Sequence, residues 1–328
     1  MIFKCKNCGG NIVYNPEKKA MVCPFCETQD SYEQKESNTI IQTCPECGGE
    51  IQVDEFDSAT RCPYCDNFII FNERVTGEYL PKFVLPFQLG KEKCKELIRN
   101  KFKKMTFAPA DFLSEVRLDS MQGVYVPFWL YNYKTRALFE GVGTKVRTWT
   151  SGSYRYTETS YYDVVRDMEI EFEKLPADAS IKMPDDVMDL MEPYTYTKLE
   201  EFKPEYLSGF WAEYYNMPAE EIEGRAHQKM DDDASAILNG SITGYASLRK
   251  NVKTIQVLDR QTDYGLLPVW KYVYQYKDQD YPFYVNGETG KVIGKVPISK
   301  RKVLVYSASL WTFLTIIFTV LIRIGRFF

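Results

Sequence analysis

The sequence predicts two small β zinc ribbons in tandem, then an α+β domain with antiparallel sheets, and a C-terminal transmembrane helix. Three observations predict this order. Eight of the nine cysteines fall into two sets of identical spacing near the N-terminus. Aromatic residues make up 15% of the 328 residues, a share typical of β-rich structure. A run of about 20 uncharged, mostly apolar residues near the C-terminus has the length of a membrane span.

Length and charge set the first limits on the domain organisation. A chain of 328 residues is expected to contain two or more domains. Its formal net charge of −4 argues against non-specific coating of nucleic acid. The predicted segments are zinc ribbon 1 (1–28), a linker (29–41), zinc ribbon 2 (42–71), a second linker (72–80), the α+β domain (81–298), a basic juxtamembrane segment (299–302), the transmembrane helix (303–322) and a tail (323–328).

The two cysteine sets have the spacing of structural zinc sites. Each reads C-x2-C, fourteen residues, C-x2-C, and the second repeats the first with an offset of 39 residues, which indicates an internal duplication. Two residues between cysteines allow a tight knuckle to direct both sulfurs at one ion, and Gly9 and Gly48 permit the turn. Each unit has little core, so we expect one structural Zn²⁺ to supply its folding free energy. The predicted ligands are Cys5, Cys8, Cys23 and Cys26 in the first unit and Cys44, Cys47, Cys62 and Cys65 in the second.

Two other uses of these cysteines are open, namely disulfides and rubredoxin-like iron. Disulfides need an oxidising compartment, and the N-terminus has no basic stretch followed by an apolar run that would predict secretion. Rubredoxin-like iron shares the ligand set but has its knuckles further apart. In the second unit Arg61 stands against six acidic residues, and four thiolates around Zn²⁺ add −2. We therefore expect this unit to contact protein, or to cap a larger assembly, rather than to contact phosphates.

A basic amphipathic helix is predicted over residues 91–104. Cys94 falls on its apolar face, at helical spacing with Ile98, Phe102 and Met105. A buried structural thiol is therefore favoured over a nucleophile at this position. The outer face is rich in lysine, including Lys95. That face is read as solvated, and contact with an acidic partner or with anionic headgroups is the alternative.

A strand motif of the form P-x-W-x-Y-x-Y occurs twice, at 127–133 and at 268–274. Each copy follows an amphipathic helix, and the second helix is predicted from about Pro218 to Gly240. We therefore read residues 81–298 as two related halves, each packing its helix against an antiparallel meander. The Trp and Tyr side chains are interpreted as core rather than as a ligand platform. Prolines predict loops and short helices in the section between the halves: Pro176, Pro184, Pro193 and Pro204.

No catalytic constellation is found, and we predict a protein that is not an enzyme. His227 is the single histidine, and its place beside the apolar stripe of a helix favours a packed or solvated side chain. The string 287–291 has the wrong spacing for a phosphate loop. The consecutive acids 231–233 point in different directions on a helix and make no metal cage. Thiol-redox chemistry at the C-x-x-C pairs is the alternative.

The apolar run 303–322 predicts a single membrane span that acts as a tail anchor. At about 1.5 Å per residue it covers roughly 30 Å, the thickness of a bilayer core. More Lys and Arg precede this run than follow it, which favours a body on the cytoplasmic side of the cell membrane. The bracketing basic residues are Lys300, Arg301 and Lys302 before it, and Arg323 and Arg326 after it.

Tandem four-cysteine ribbons, the P-x-W-x-Y-x-Y domain and the C-terminal span together resemble bacterial TFIIB-type zinc-ribbon membrane proteins of the YdjG kind. Relatives are often labelled primosomal helicase-like, and the missing phosphate loop contradicts that label here. The resemblance implies a membrane-anchored scaffold or adaptor whose partners are SPFH-domain (flotillin-like) and PspA-like envelope-stress proteins. It carries the zinc ligands over to the eight cysteines named above and carries over no catalytic residue.

The alternative to the adaptor is a membrane-tethered zinc-ribbon nucleic-acid or transcription-related factor. The acidic second unit disfavours nucleic acid as a partner. No small-molecule substrate is identified from the sequence.

Overall fold

The computed structural model describes residues 1–35 and 43–325. Residues 36–41 of the first predicted linker, Gln42 of the second predicted ribbon and residues 326–328 of the predicted tail lie outside the described residues.

Four short strands form the first ribbon. They are β1 (Ile2–Cys5), β2 (Val13–Asn15), β3 (Ala20–Val22) and β4 (Tyr32–Lys35). β2 and β3 form a hairpin, and β1 pairs antiparallel with β4. β4 falls within the segment predicted as linker 29–41, where the ring of Tyr32 packs edge-on against Phe3 at 5.5 Å. The ribbon fold therefore extends past its last cysteine, because β1 needs a partner for its backbone groups.

The body is a mixed sheet with helices on it. Its first two strands, β5 (Asp57–Arg61) and β6 (Phe68–Ile70), belong to the second ribbon. The other strands are β7 (Phe83–Val84), β8 (Gln122–Ser151), β9 (Tyr154–Asp178), β10 (Glu200–Glu201), β11 (Trp211–Glu213), β12 (Ser247–Tyr276), β13 (Gln279–Asn286) and β14 (Val292–Gly294). The helices are α1 (Lys91–Phe102), α2 (Glu115–Leu118), α3 (Asp185–Met191), α4 (Ala219–Gly240) and α5 (Lys300–Gly325).

Among the described residues, these ten strands from β5 to β14 form one sheet. Its order is β10-β7-β12-β8-β11-β5-β6, with β9 on β8 and with β13 and β14 beyond β12. Most neighbours are antiparallel, as predicted, but β7 runs parallel to β12 and β11 runs parallel to β8. The prediction of purely antiparallel sheets was therefore wrong. Strands of two or three residues carry no periodicity that a sequence reading could detect.

The second ribbon is continuous with the sheet of the body. β5 pairs with β11 at Ala59 and Ala212, and β6 pairs with β5. Lys182 of the body bonds to Asp54 and Asp57 of the ribbon at 3.0 and 3.1 Å. The predicted boundary near residue 72 is thus no break in the hydrogen-bonded sheet.

The two copies of the repeated motif lie side by side at the centre of the sheet. β8 and β12 are antiparallel neighbours, and Val126 faces Leu267 at the equivalent position of the other copy. The indole Nε1 of Trp129 donates to the carbonyl of Met217 and that of Trp270 to the carbonyl of Leu89, each at 2.9 Å. Both carbonyls belong to the residue two positions before a helix, α4 and α1 respectively.

Each helix consequently packs on the strands of the other half, not on its own as predicted. Cys94, Ile98 and Phe102 of α1 join the core containing Phe283 of β13. Ala226, Met230 and Ala234 of α4 pack against Tyr131 and Tyr133 of β8. The cause is the parallel pairing of β7 with β12 and of β11 with β8, which places the start of each helix beside the opposite copy.

Three local predictions from the sequence also need correction. The first helix ends at Phe102 instead of 104, so Met105 lies beyond it and is 50% exposed. Lys95 is buried rather than solvated, and it bonds to Glu92, Glu115 and Asp119. Pro176 lies inside β9, opposite Leu130, which an edge strand tolerates because the missing N–H need not face a partner.

The far ends of β8, β9 and β12 form a projection that we call the arm, defined as residues 141–163 and 245–253. β12 begins at Ser247, opposite Thr144, so the last part of the arm has only the two strands β8 and β9. Its side chains from Lys145 to Thr159 are exposed. The core of the body ends before this point, at Phe139 and Val164.

Candidate metal centres

The eight predicted ligands come together in two clusters of four. In each cluster the four sulfurs all lie within 4.8 Å of one another. The nearest pairs are Cys5–Cys26 at 3.6 Å and Cys8–Cys23 at 3.5 Å in the first ribbon. The corresponding distances in the second ribbon, Cys44–Cys65 and Cys47–Cys62, are 3.6 and 3.8 Å.

These distances match a tetrahedral Zn²⁺ site. Zn–S bonds of about 2.3 Å in a tetrahedron place the sulfurs about 3.8 Å apart. A disulfide would bring two sulfurs to about 2.05 Å, and all nine cysteines are free thiols. Four thiolates fill the shell and leave no open position for a substrate, which is the arrangement of a structural site. Two structural zinc ions fit the two clusters, so the predicted cofactor is confirmed.

Backbone turns position the sulfurs in each knuckle. The amides of Gly9 and Gly48 donate to the carbonyls of Cys5 and Cys44, each at 2.9 Å, with φ of +74° and +70°. This left-handed conformation is the reason for glycine at both positions. The second knuckle of each ribbon makes the same turn without glycine, because Glu27 and Asp66 occupy the left-handed region at +58° and +60°. The sequence reading missed these two positions.

Each cluster lies at the surface with one side in the core. Cys5 and Cys23 are buried and Cys8 is exposed, and Cys44, Cys62 and Cys47 repeat this pattern in the second ribbon. In the first ribbon the hydroxyl of Thr28 lies 3.2 Å from the sulfur of Cys26, and its hydrogen bond lowers the pKa of that thiol to about 6. A lowered pKa favours the thiolate that a metal ion requires.

The two ribbons differ in how they join the body. The first ribbon belongs to the main core through Phe3, Ile12 and Tyr14, and the hydroxyl of Ser208 donates to the carbonyl of Ile12 at 2.7 Å. The second ribbon has a small core of its own, which includes Ile51 and Ile69.

Direct contacts link the ribbons to each other. Ile2 of the first ribbon packs into the core of the second, and the nearly buried Lys4 pairs with Glu46 at 2.9 Å. The ribbons therefore form a joint unit, although the sequence separates them.

The other cysteine and the single histidine lie away from these clusters. Cys94 is fully buried, and burial raises the pKa of its thiol to about 12, as expected for a structural cysteine. His227 is exposed, and its ring meets the edge of Tyr133 at 6.4 Å. Within residues 1–35 and 43–325, only the two Cys₄ clusters bring three or more His, Cys, Asp or Glu ligand atoms close enough for a metal ion, and the acids 231–233 are not among them.

A buried charge cluster on the body was not predicted from the sequence. Arg225 of α4 bonds to Asp178 at the end of β9 and to Asp185 and Asp189 of α3. Asp178 is fully buried, and burial raises the pKa of its carboxyl to about 6 despite the nearby guanidinium. Its partners are 7 to 47 residues away in the sequence, so no local pattern indicates the cluster.

Comparison with known proteins places both the ribbon and the whole chain. A family of zinc ribbon domains matches residues 2–30. No solved structure matches the chain. A protein of Bacillus subtilis (strain 168) named uncharacterized protein YdjG is 36% identical over 311 residues, which are 92% of this chain and 91% of that protein. With the ribbon matched and an identity of this extent, the chain belongs to the YdjG family of zinc-ribbon proteins.

Proposed function

We propose that the chain is a zinc-binding scaffold or adaptor, anchored in the cell membrane with its body on the cytoplasmic face, that recruits protein partners. Helix α5 is long and apolar enough to cross a membrane, and its apolar segment, Lys300–Leu321, is not buried in the body. In this proposal α5 is the single-pass anchor, and the two zinc ribbons, of the TFIIB type by resemblance, stiffen the sheet on which the recruiting surface is built.

The arm is the observation that carries this proposal. Tyr154 is 72% exposed and Trp149 is 41% exposed, and Trp149 stacks on Tyr156 at 5.7 Å. The guanidinium of Arg147 lies over the Trp149 ring at 5.5 Å. Trp, Tyr and Arg are the residue types that dominate binding energy at protein interfaces. Large aromatic side chains exposed on a two-stranded ribbon are typical of a binding surface.

The charge of the arm indicates the chemistry of its partner. Six basic side chains stand against two acidic ones, although the chain as a whole is acidic. An acidic protein surface therefore complements the arm. The family resemblance suggests SPFH-domain and PspA-like proteins as the partners. The basic residues are Lys145, Arg147, Arg155, Arg249, Lys250 and Lys253, and the acidic ones are Glu158 and Asp163.

A native pull-down from detergent-solubilised membranes tests the proposal. The full chain is compared with the triple variant Trp149→Ser, Tyr154→Ser, Tyr156→Ser. We expect the wild type to retain SPFH-type or PspA-like proteins and the triple variant to lose them. A matched control changes threonines on the other side of the same two strands: Thr148→Ser, Thr150→Ser and Thr157→Ser.

Two results would count against the proposal. Equal recovery by the wild type and the aromatic variant would remove the arm as the docking surface. Recovery of RNA polymerase or nucleic acid would favour the membrane-tethered nucleic-acid factor instead. A variant that lacks the second zinc site, Cys47→Ser, tests whether the second ribbon also contributes to docking.

A further inference from the structure

One loop of the body lies beside the first turns of α5. The amide of Ser299 donates to the carbonyl of Phe107 at 2.8 Å. The rings of Phe107 and Tyr306 meet edge-on at 5.4 Å. Loop residues 106–111, together with Tyr276, share a cavity of about 610 Å³ with α5 residues as far along as Ser309.

This contact sets the depth of the loop relative to a bilayer. Ser309 lies six residues beyond the start of the apolar run at Val303, or about 9 Å along the helix. If the loop stayed clear of the bilayer, the span would begin only at Leu310. From Leu310 to Leu321 the helix covers about 18 Å, which is too short for a hydrocarbon core of about 30 Å. The loop and Tyr276 therefore lie at the level of the lipid headgroups.

The side chains at this level suit a membrane interface. Phe107 and Tyr276 are half-buried aromatic residues, and Met105 is 50% exposed. Aromatic side chains are enriched at this depth of membrane proteins because they have both an apolar and a polar part. Lys103 and Lys104, at the end of α1, are exposed.

Basic residues outnumber acidic ones around the loop. Lys277, in the turn between β12 and β13, lies over the ring of Tyr276 at 5.6 Å. The acidic residue on the loop, Asp111, accepts a hydrogen bond from Tyr274 at 2.8 Å and pairs with Arg117. The full basic set is Lys101, Lys103, Lys104, Lys277, Lys295, Lys300, Arg301 and Lys302, and the acidic set is Asp111, Asp278 and Asp280.

We propose that the body rests on the membrane through residues 103–110 and 276–277, and that this surface binds anionic phospholipid headgroups. The inference rests on the proposed anchoring of α5. Each basic residue near an anionic leaflet contributes to the attraction, and the aromatic loop fixes the depth. The same contact orients the protein: Tyr276 ends a strand of 30 residues whose other end, Ser247, lies in the arm. At about 3.3 Å per residue that strand is up to roughly 100 Å long, so the arm points away from the bilayer.

Backbone hydrogen exchange of the full chain in lipid nanodiscs tests this proposal. One set of discs contains phosphatidylcholine alone, and the other contains phosphatidylcholine mixed with phosphatidylglycerol. We expect residues 104–111 and 277–279 to exchange several-fold more slowly in the anionic discs, while residues 18–20 exchange at the same rate in both. Equal exchange of the loop in the two kinds of disc would overturn the proposal.

A matched pair of variants separates lipid contact from general stability. Lys103→Gln, Lys104→Gln, Lys277→Gln should abolish the difference between the discs. Lys18→Gln, Lys19→Gln, Lys250→Gln removes the same charge from the ribbon and the arm and should preserve it. Persistence of the difference in the first variant would also refute the surface. A chain that carbonate releases from membranes would contradict the anchoring itself, a result distinct from an embedded chain with an unprotected loop.

Discussion

Removal of one zinc ligand per ribbon tests both the metal assignment and the different attachment of the two ribbons. In each cluster one ligand is exposed, Cys8 in the first and Cys47 in the second. Replacing it with serine removes a thiolate while disturbing little packing. Structural Zn²⁺ in small ribbons binds with an apparent free energy of about 10–16 kcal/mol at pH 7, most of which serves to fold the ribbon. An incomplete ligand shell should therefore release the metal and unfold that ribbon.

The expected zinc content, measured by mass spectrometry of the purified chain, is two ions for the wild type and one for either variant. Cys94→Ser is the matched control, because Cys94 lies in the core away from both clusters and the variant should retain two ions. Limited proteolysis should then cut the second ribbon in Cys47→Ser. Cys8→Ser should lower the melting temperature more than Cys47→Ser, because the first ribbon shares the main core of the body.

Three results would refute this reasoning. Iron in place of zinc would support the rubredoxin-like alternative. Two zinc ions bound by Cys47→Ser would show that the cluster is not a closed four-thiolate site. Equal melting temperatures for the two ribbon variants would contradict the argument from their different cores.

Two further predictions concern the body. In Asp178→Asn the buried charge is removed; since burial raises the folded-state pKa of Asp178 to about 6, above about 3.9 for free Asp, the wild type should lose up to about 3 kcal/mol relative to the variant as pH rises from 4 to 7. Melting temperatures of both proteins across that range check this, and a difference that does not change with pH would contradict it. In Trp270→Phe the buried carbonyl of Leu89 loses its donor, which should cost about 1–3 kcal/mol in a denaturant titration. Trp129→Phe should cost less because Trp129 is more exposed, and the opposite order would count against the repeat contacts described above.

The zinc sites could be predicted from the sequence because their geometry is almost entirely local. Two cysteines three positions apart form a knuckle whatever lies around them, and the tandem spacing leaves one arrangement for the second pair. The helices α1 and α4 followed from apolar periodicity for the same reason, and each begins within a residue of its predicted position. The left-handed turns at Glu27 and Asp66 were missed, since nothing in those side chains marks the conformation.

Contacts between distant segments decided the remaining features. The burial of Lys95 depends on Glu115 and Asp119, which follow it by 20 or more residues. The exchange of helices between the two halves depends on strands of two and three residues, β7 and β11, that are too short to show a pattern.

The sequence by itself determined the two zinc-ligand sets, the main helices, the repeated strand motif and the length of the apolar C-terminal helix. Each of these is encoded by spacing along the chain, through knuckle geometry, helical period or the rise per residue. Only the tertiary structure decided that the second ribbon continues the sheet of the body and that the arm is left uncovered. It alone placed the loop around Phe107 beside α5. These features arise from pairing between residues far apart in the chain, and the energies of such pairing are not written in any short stretch of sequence.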